Sequence, residues 1–294
     1  EGTFTGKLNL SGSELETNIK LAVDEKNSVY ETIEIDSSDK NISFTGNPKI
    51  KKLKVVSAKS VSFSNNPDCL ISEIEDNDSA INYNFGYLSF QDFDNVSSDD
   101  ITFNTKGTIN LQGINSSKNI IVNNGTLQIK ETFEGQDVIS KNQTSINGTV
   151  NANDINCGKT TIAGNVTANN ITLAEITVVE NSKLKINETS TDGKITLKGN
   201  ILSTDLKNLT LDGNVIASDQ CSSINLNQGT LDTKGTFTAQ NDLVINAICT
   251  FGKNVDAEGN LTITGDSKFS QNVVVGNIAT LQGNVEFWGT LSIT

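Results

Sequence analysis

Short runs of alternating apolar and polar residues, broken by Gly or Asn every few positions, extend along the whole of this 294-residue chain. Their period is two, that of a strand with one buried face, and not the 3.6 of a helix. Ile42-Ser43-Phe44, Ile109-Asn110-Leu111, Ile195-Thr196-Leu197, Leu209-Thr210-Leu211 and Leu261-Thr262-Ile263 are typical. The string Thr-apolar-x-Gly-Asn/Asp recurs at Thr161 to Asn165, Thr196 to Asn200, Thr210 to Asn214, Thr262 to Asp266 and Thr280 to Asn284. Its glycines, Gly164, Gly199, Gly213, Gly265 and Gly283, follow one another at steps of 35, 14, 52 and 18. Three of those steps are near multiples of about 17.5, and the 14 departs from that spacing. Ile42 to Pro48 and Val61 to Pro67 are a second echo, shifted by 19. The repeating unit is therefore read as roughly 17–20 residues.

A unit of that size holds three short strands and three corners but cannot bury its own apolar face, so the units must stack. Stacking predicts an all-β fold, a single parallel β-solenoid of about 16 coils, with strands spaced by about 4.8 Å. Gly and Asn, which tolerate positive φ best, are placed at the corners, and Asn amides are expected to form hydrogen-bonded ladders along the stack. Ser13 to Val23 reads as a short capping helix, with Ser13 and Glu16 in capping-box spacing and Leu15, Ile19 and Val23 on one face. The expected organisation is a cap with the first coils at 1–40 and the solenoid at 41–294. An irregular acidic loop region is expected at 68–100, which holds nine acids, Tyr83 and Tyr87. An antiparallel sandwich or two tandem β domains is the alternative. The hairpin dipeptide Asn-Gly occurs only twice against seven Gly-Asn, and two Pro leave no obvious linker.

Composition excludes much chemistry. The chain has no His and no Arg, hence no imidazole base or metal ligand and no guanidinium clamp. Its net charge of −13 disfavours nucleic acid and anionic lipid. No apolar run approaches the roughly 18 residues of a membrane helix. The absence of Met, with Glu1 first, is read as the trace of a removed leader and of export. Cys69, Cys157, Cys221 and Cys249 lack CxxC spacing, so they are read as buried small apolar residues or as disulfides. In a solenoid each coil meets only its neighbours, so at most one disulfide is expected in the regular part: a step of 28 lets Cys221 and Cys249 join adjacent coils, whereas 88 is too long for Cys69 with Cys157.

These repeats resemble the right-handed β-helices of filamentous haemagglutinin-like adhesins and autotransporter passengers. The resemblance is one of pattern over the whole chain, and it implies secretion, surface display, and adhesion or a structural stalk. The Asn-Pro-Asn-Gly signature that such adhesins tend to carry is missing, since the two Asn-Pro pairs continue with Lys49 and Asp68. The glycine-aspartate nonapeptides of calcium-binding β-rolls are missing too.

Parallel β-helices also house polysaccharide lyases and glycoside hydrolases. A carboxylate pair alone can hydrolyse a glycoside, and Asp92/Asp94 and Asp99-Asp100 are the dense candidates. Neighbouring acids on one loop are more commonly a solvated face. With Asp76, Asn77 and Asp78 the same acids offer oxygen ligands of the kind calcium prefers, without EF-hand spacing, so no cofactor is expected beyond a weak case for structural calcium. Thirteen N-x-S/T sequons occur, at Asn9, Asn41, Asn77, Asn95, Asn115, Asn124, Asn142, Asn147, Asn165, Asn170, Asn187, Asn208 and Asn260. With 39 Asn and 60 Ser plus Thr, chance alone supplies about eight. Thr3/Thr5, Thr236/Thr238 and Thr262/Thr264 are too few to tile an ice-binding face, and Trp288 is expected to pack with Phe287. The bare terminal strand Gly289 to Thr294 suggests continuation or head-to-tail filament growth. The resulting expectation is a secreted, non-enzymatic surface rod or fibre subunit, extracellular, with adhesion to a glycan or cell-surface receptor as a role and a glycan coat. The alternative is a carbohydrate-active β-helix enzyme using carboxylates.

Overall fold

The computed structural model of the chain describes residues 4–11, 18–23, 29–63, 68–77, 79–92, 100–203 and 205–294; for 4–11, 18–23, 39 and 228 it describes the backbone alone. The chain is all-β, a parallel β-solenoid of about 13 turns. It divides into two compact units, 1–145 with 150–152, and 146–149 with 153–294.

In the second unit the coil has three faces, and each stacks inward side chains into columns. On the first, Thr160, Ile176, Ile201, Ile224, Ile245 and Ile263 stand in successive register and are fully buried. The second face stacks Val166, Leu184, Leu211, Thr233, Phe251 and Phe269. The third stacks Ile155, Ile171, Ile195, Val215, Phe237, Val255 and Val273. Alternation sets this up: along Lys194–Leu197, Ile195 and Leu197 are buried while Thr196 is only half-buried. Each buried Ile or Leu contributes roughly 1.5–3 kcal/mol. The contribution exists only when the neighbouring coil is in place, because that coil covers the side chain from above or below.

From Phe237 onward the coil settles into a constant period of 18, and from Val255 on three-residue strands start every six. Elsewhere it runs from 16 to 27 residues between stacked partners. Long coils arise where the chain leaves the wall between strands, as from Ile186 to Lys194 and from Leu202 to Leu209. That widening gives about 13 turns in place of the 16 expected.

The first unit stacks in the same way. Phe44, Phe63, Phe85, Leu111 and Ile129 form one column, and Ile101, Ile120 and Val138 another. The Phe44 and Phe63 rings lie parallel with centroids 4.4 Å apart, close to the strand spacing. Two expectations fail here. The helix expected over 13–23 does not form where the chain is described: Asn18–Val23 is a strand paired with 41–46, and 12–17 lie outside the described residues. Nor is 68–100 a plain loop, since Leu70–Asp76 and Asn82–Phe90 are strands of the stack; 78 and 93–99 lie outside the described residues.

The corners explain the irregular glycine intervals. Gly164, Gly265 and Gly283 follow the first face, Gly213 the second and Gly199 the third. Only the step of 18 from Gly265 to Gly283 joins like corners; the step of 14 crosses between different corners of the coil. Positive φ is also not the general reason for glycine. Among the described residues it occurs at Gly46, Gly283 and Asn227. At Gly164 the constraint is proximity, because a Cβ there would lie 2.0 Å from the Gly148 carbonyl oxygen of the coil before.

Candidate functional site

The corner asparagines act as couplers between coils. Amide-to-amide ladders occur, as Asn187 donating to Asn169 (2.9 Å) and Asn169 to Asn153 (2.7 Å). In the regular region a different bond dominates: the side-chain oxygen accepts the backbone N–H of the residue 18 further on. Asp242 takes that of Asn260 at 2.7 Å, Asn260 that of Ile278 at 3.1 Å, Asn254 that of Asn272 at 3.3 Å and Asn272 that of Thr290 at 3.1 Å. These bonds satisfy corner N–H groups that face no strand partner. They also hold the Asp242 carboxyl below the usual carboxylate range, the Asn260 backbone N–H being the main cause.

The structure separates most of the other sequence candidates. All four cysteines are buried thiols, none joined in a disulfide. Cys249 stacks between Leu231 and Ser267, whereas Cys221 sits at the corner before Ser223–Thr233, so the candidate Cys221–Cys249 pair does not form and the reading as buried small residues holds. Burial pushes their thiols up, to about 11 at Cys221 and about 12 at Cys249, and Cys69 likewise to about 12. Asp92 pairs at 2.6 Å with Lys118, a buried lysine. Asp100 accepts a bond from Asn119 at 2.8 Å, and Asp94 and Asp99 lie outside the described residues. Asp76 accepts the backbone N–H of Asn104 and of Thr105, and its burial raises its pKa despite those bonds. Among the described residues no three His, Cys, Asp or Glu come together as a metal cluster.

Of the sequon asparagines, Asn77, Asn115, Asn124, Asn142, Asn147, Asn165 and Asn208 are exposed. Asn41, Asn170, Asn187 and Asn260 are half-buried; of Asn9 and Asn95 no side chain is described. Asn170, Asn187 and Asn260 commit their amide nitrogens to Asp154, Asn169 and Asp242 of the coil before. Trp288 does not pack with Phe287. It is 66% exposed under Lys268, whose Nζ sits 4.0 Å from the ring centroid, while Phe287 stacks on Phe269. Thr238 is flanked by Ile216 and Asp256, and Thr262 by Val244 and Thr280, so neither threonine belongs to a flat threonine array.

One open groove, in the first unit, gathers side chains that the sequence scatters. Ser62, Asn84, Asn110 and Gln128 stand in register on the outer side of four consecutive coils. Asn110 donates to Asn84 at 2.7 Å. Just past them, Lys130 and Glu131 oppose the single Gln112, a β-bulge that breaks the register between Ile129 and Thr132. The bulge carries Glu131 back over the wall, where Gln112 donates to it at 2.8 Å and the Tyr87 hydroxyl donates to it as well. Tyr87 crosses the coil between, its ring lying on Gly113, where a Cβ would fall 2.2 Å from the ring. The tyrosine is thus tied across three coils with 40% of its surface exposed. Its hydroxyl bond holds the Glu131 carboxyl below the usual range. The groove beside it, about 360 Å³, is lined by Ser62, Asn84, Gly86, Asn110, Gln112 and Lys130 over the buried Phe63 and Phe85. Sequence reading singled out Tyr87 but placed it in a loop, and it missed Gln112, Lys130 and Glu131. The available signal was the Phe44/Phe63 echo, which continues through Phe85 and Leu111 and fixes the register. No protein-family model, curated protein or solved structure matches the chain.

Proposed function

We propose that the chain is a secreted, non-enzymatic structural protein working outside the cell, as a surface rod or fibre subunit with an adhesive role. The observation that carries this reading is the coil-to-coil coupling: apolar columns and corner amides both engage the next coil rather than converging on a reaction centre. Among the described residues, no carboxylate lines the groove beside Tyr87 and one, Glu131, adjoins it through Gln112 and Tyr87, where glycoside hydrolysis uses a pair. The exposed sequons suit a chain that passes through a secretory route and gains a glycan coat. Electron microscopy of the native full-length material is the test. Filaments or surface stalks are expected, with more association at about 150 mM salt than at about 10 mM, because a net charge of −13 repels its copies when unscreened. Dispersed monomers at high concentration and high salt, or turnover of glycans by purified protein, would overturn it.

A further inference from the structure

We infer that the groove beside Tyr87 is a binding site for a neutral oligosaccharide. This gives the adhesive role a site and rests on that reading; sugar binding by dispersed chains and self-assembly are measured separately, so either can fail alone. Three features point to sugar. First, Tyr87 is an exposed aromatic ring whose position is fixed from both ends, by Gly113 beneath it and by Glu131 at its hydroxyl. Pyranose rings offer an apolar C–H face that lies on such platforms, and a ring already held loses little further entropy on binding.

Second, the lining that faces outward is made of amides, a hydroxyl and an ammonium, from Asn84, Asn110, Gln112, Ser62 and Lys130. Amides both donate and accept, as sugar hydroxyls do. An apolar ligand would find too little apolar wall there, since Phe63 and Phe85 are buried. Third, charge argues against an acidic polymer. Among the described residues Lys130 is the only cation lining the groove, Glu131 adjoins it, and the whole chain is at −13. A volume of about 360 Å³ is at the small end of ligand sites, sized for a short stretch of glycan.

The full chain, dispersed at low salt, is titrated by calorimetry with cellotetraose, maltotetraose, xylotetraose, mannotetraose and chitotetraose, and with tetragalacturonate as the acidic comparison. At least one neutral probe is expected to bind. Tyr87→Ala lowers that affinity roughly tenfold, the worth of an aromatic contact, and Tyr87→Phe lowers it less. Gln112→Ala weakens binding, and Thr196→Ala, in the other unit, leaves it unchanged. Melting curves show which variants are folded; if Tyr87→Ala is not, Tyr87→Leu and Gln112→Ala carry the same reading. The inference is overturned if no neutral probe binds, if tetragalacturonate binds in preference, or if the folded groove variants bind like the wild type.

Discussion

Gly164 shows how a single residue in this fold answers to a neighbour some sixteen positions away rather than to its own backbone. Its place at a corner was readable from the recurring Thr-apolar-x-Gly-Asn string, but the cause was not, because contact with Gly148 is a property of the stack. Gly164→Ala must push two coils apart. The expected cost is about 1–3 kcal/mol, read as a lower melting temperature, while Gly252→Ala, with its nearest backbone oxygen at 3.0 Å, costs less. Equal melting of the two variants would remove proximity as the explanation. Asp76 makes a second test at this scale. Its carboxyl is raised by burial, so the folded chain holds that proton more tightly than the unfolded chain does. Relative to Asp76→Asn, the wild type therefore gains stability as pH falls from neutral towards 3.8, the carboxyl's ordinary value. Parallel melting temperatures for the two proteins across that range would show that burial does not bias the proton.

Strands were legible as elements because alternation survives in every coil; their arrangement was legible only where coil length is constant. Ser13 to Val23 shows the limit. Leu15, Ile19 and Val23 fit a helical face, yet Ile19, Leu21 and Val23 also alternate, and a short apolar run is ambiguous on period alone. The wall resolves it, since 18–23 pair with 41–46. Residues 68–100 misled for another reason: their acids belong partly to outer faces and corners, which tolerate charge without ceasing to be wall. Where the coil keeps its regular period, from Phe237 on, register becomes a testable property. Deleting 255–272 brings Val273 into the place of Val255 above Phe237. That variant is expected to keep its strand circular dichroism and a cooperative melt, as nearest-neighbour stacking allows. Deleting 255–263 instead turns Asp266 towards the column position of Ala257, and loss of the cooperative melt is expected. Indistinguishable melts for the two deletions would show that the six-residue register does not hold these coils together.

At the scale of the whole molecule, composition excluded His- and Arg-based chemistry, and periodicity gave the solenoid. Neither could give the groove. Tyr87, Gln112 and Glu131 come from three coils, and only the bulge at Lys130 and Glu131 brings the last of them back to the first. A binding surface of this kind is written across the stack, at right angles to the chain. The corner amides have a related consequence for how such a chain changes over generations. Asp242, Asn254 and Asn260 each serve a backbone N–H in the following coil, so their loss is felt one turn downstream. Selection would then act on pairs of adjacent turns. A duplicated turn arrives with its own acceptors for whatever turn comes after it, so that lengthening by copying preserves the bonding pattern, whereas drift within one turn is policed by the next.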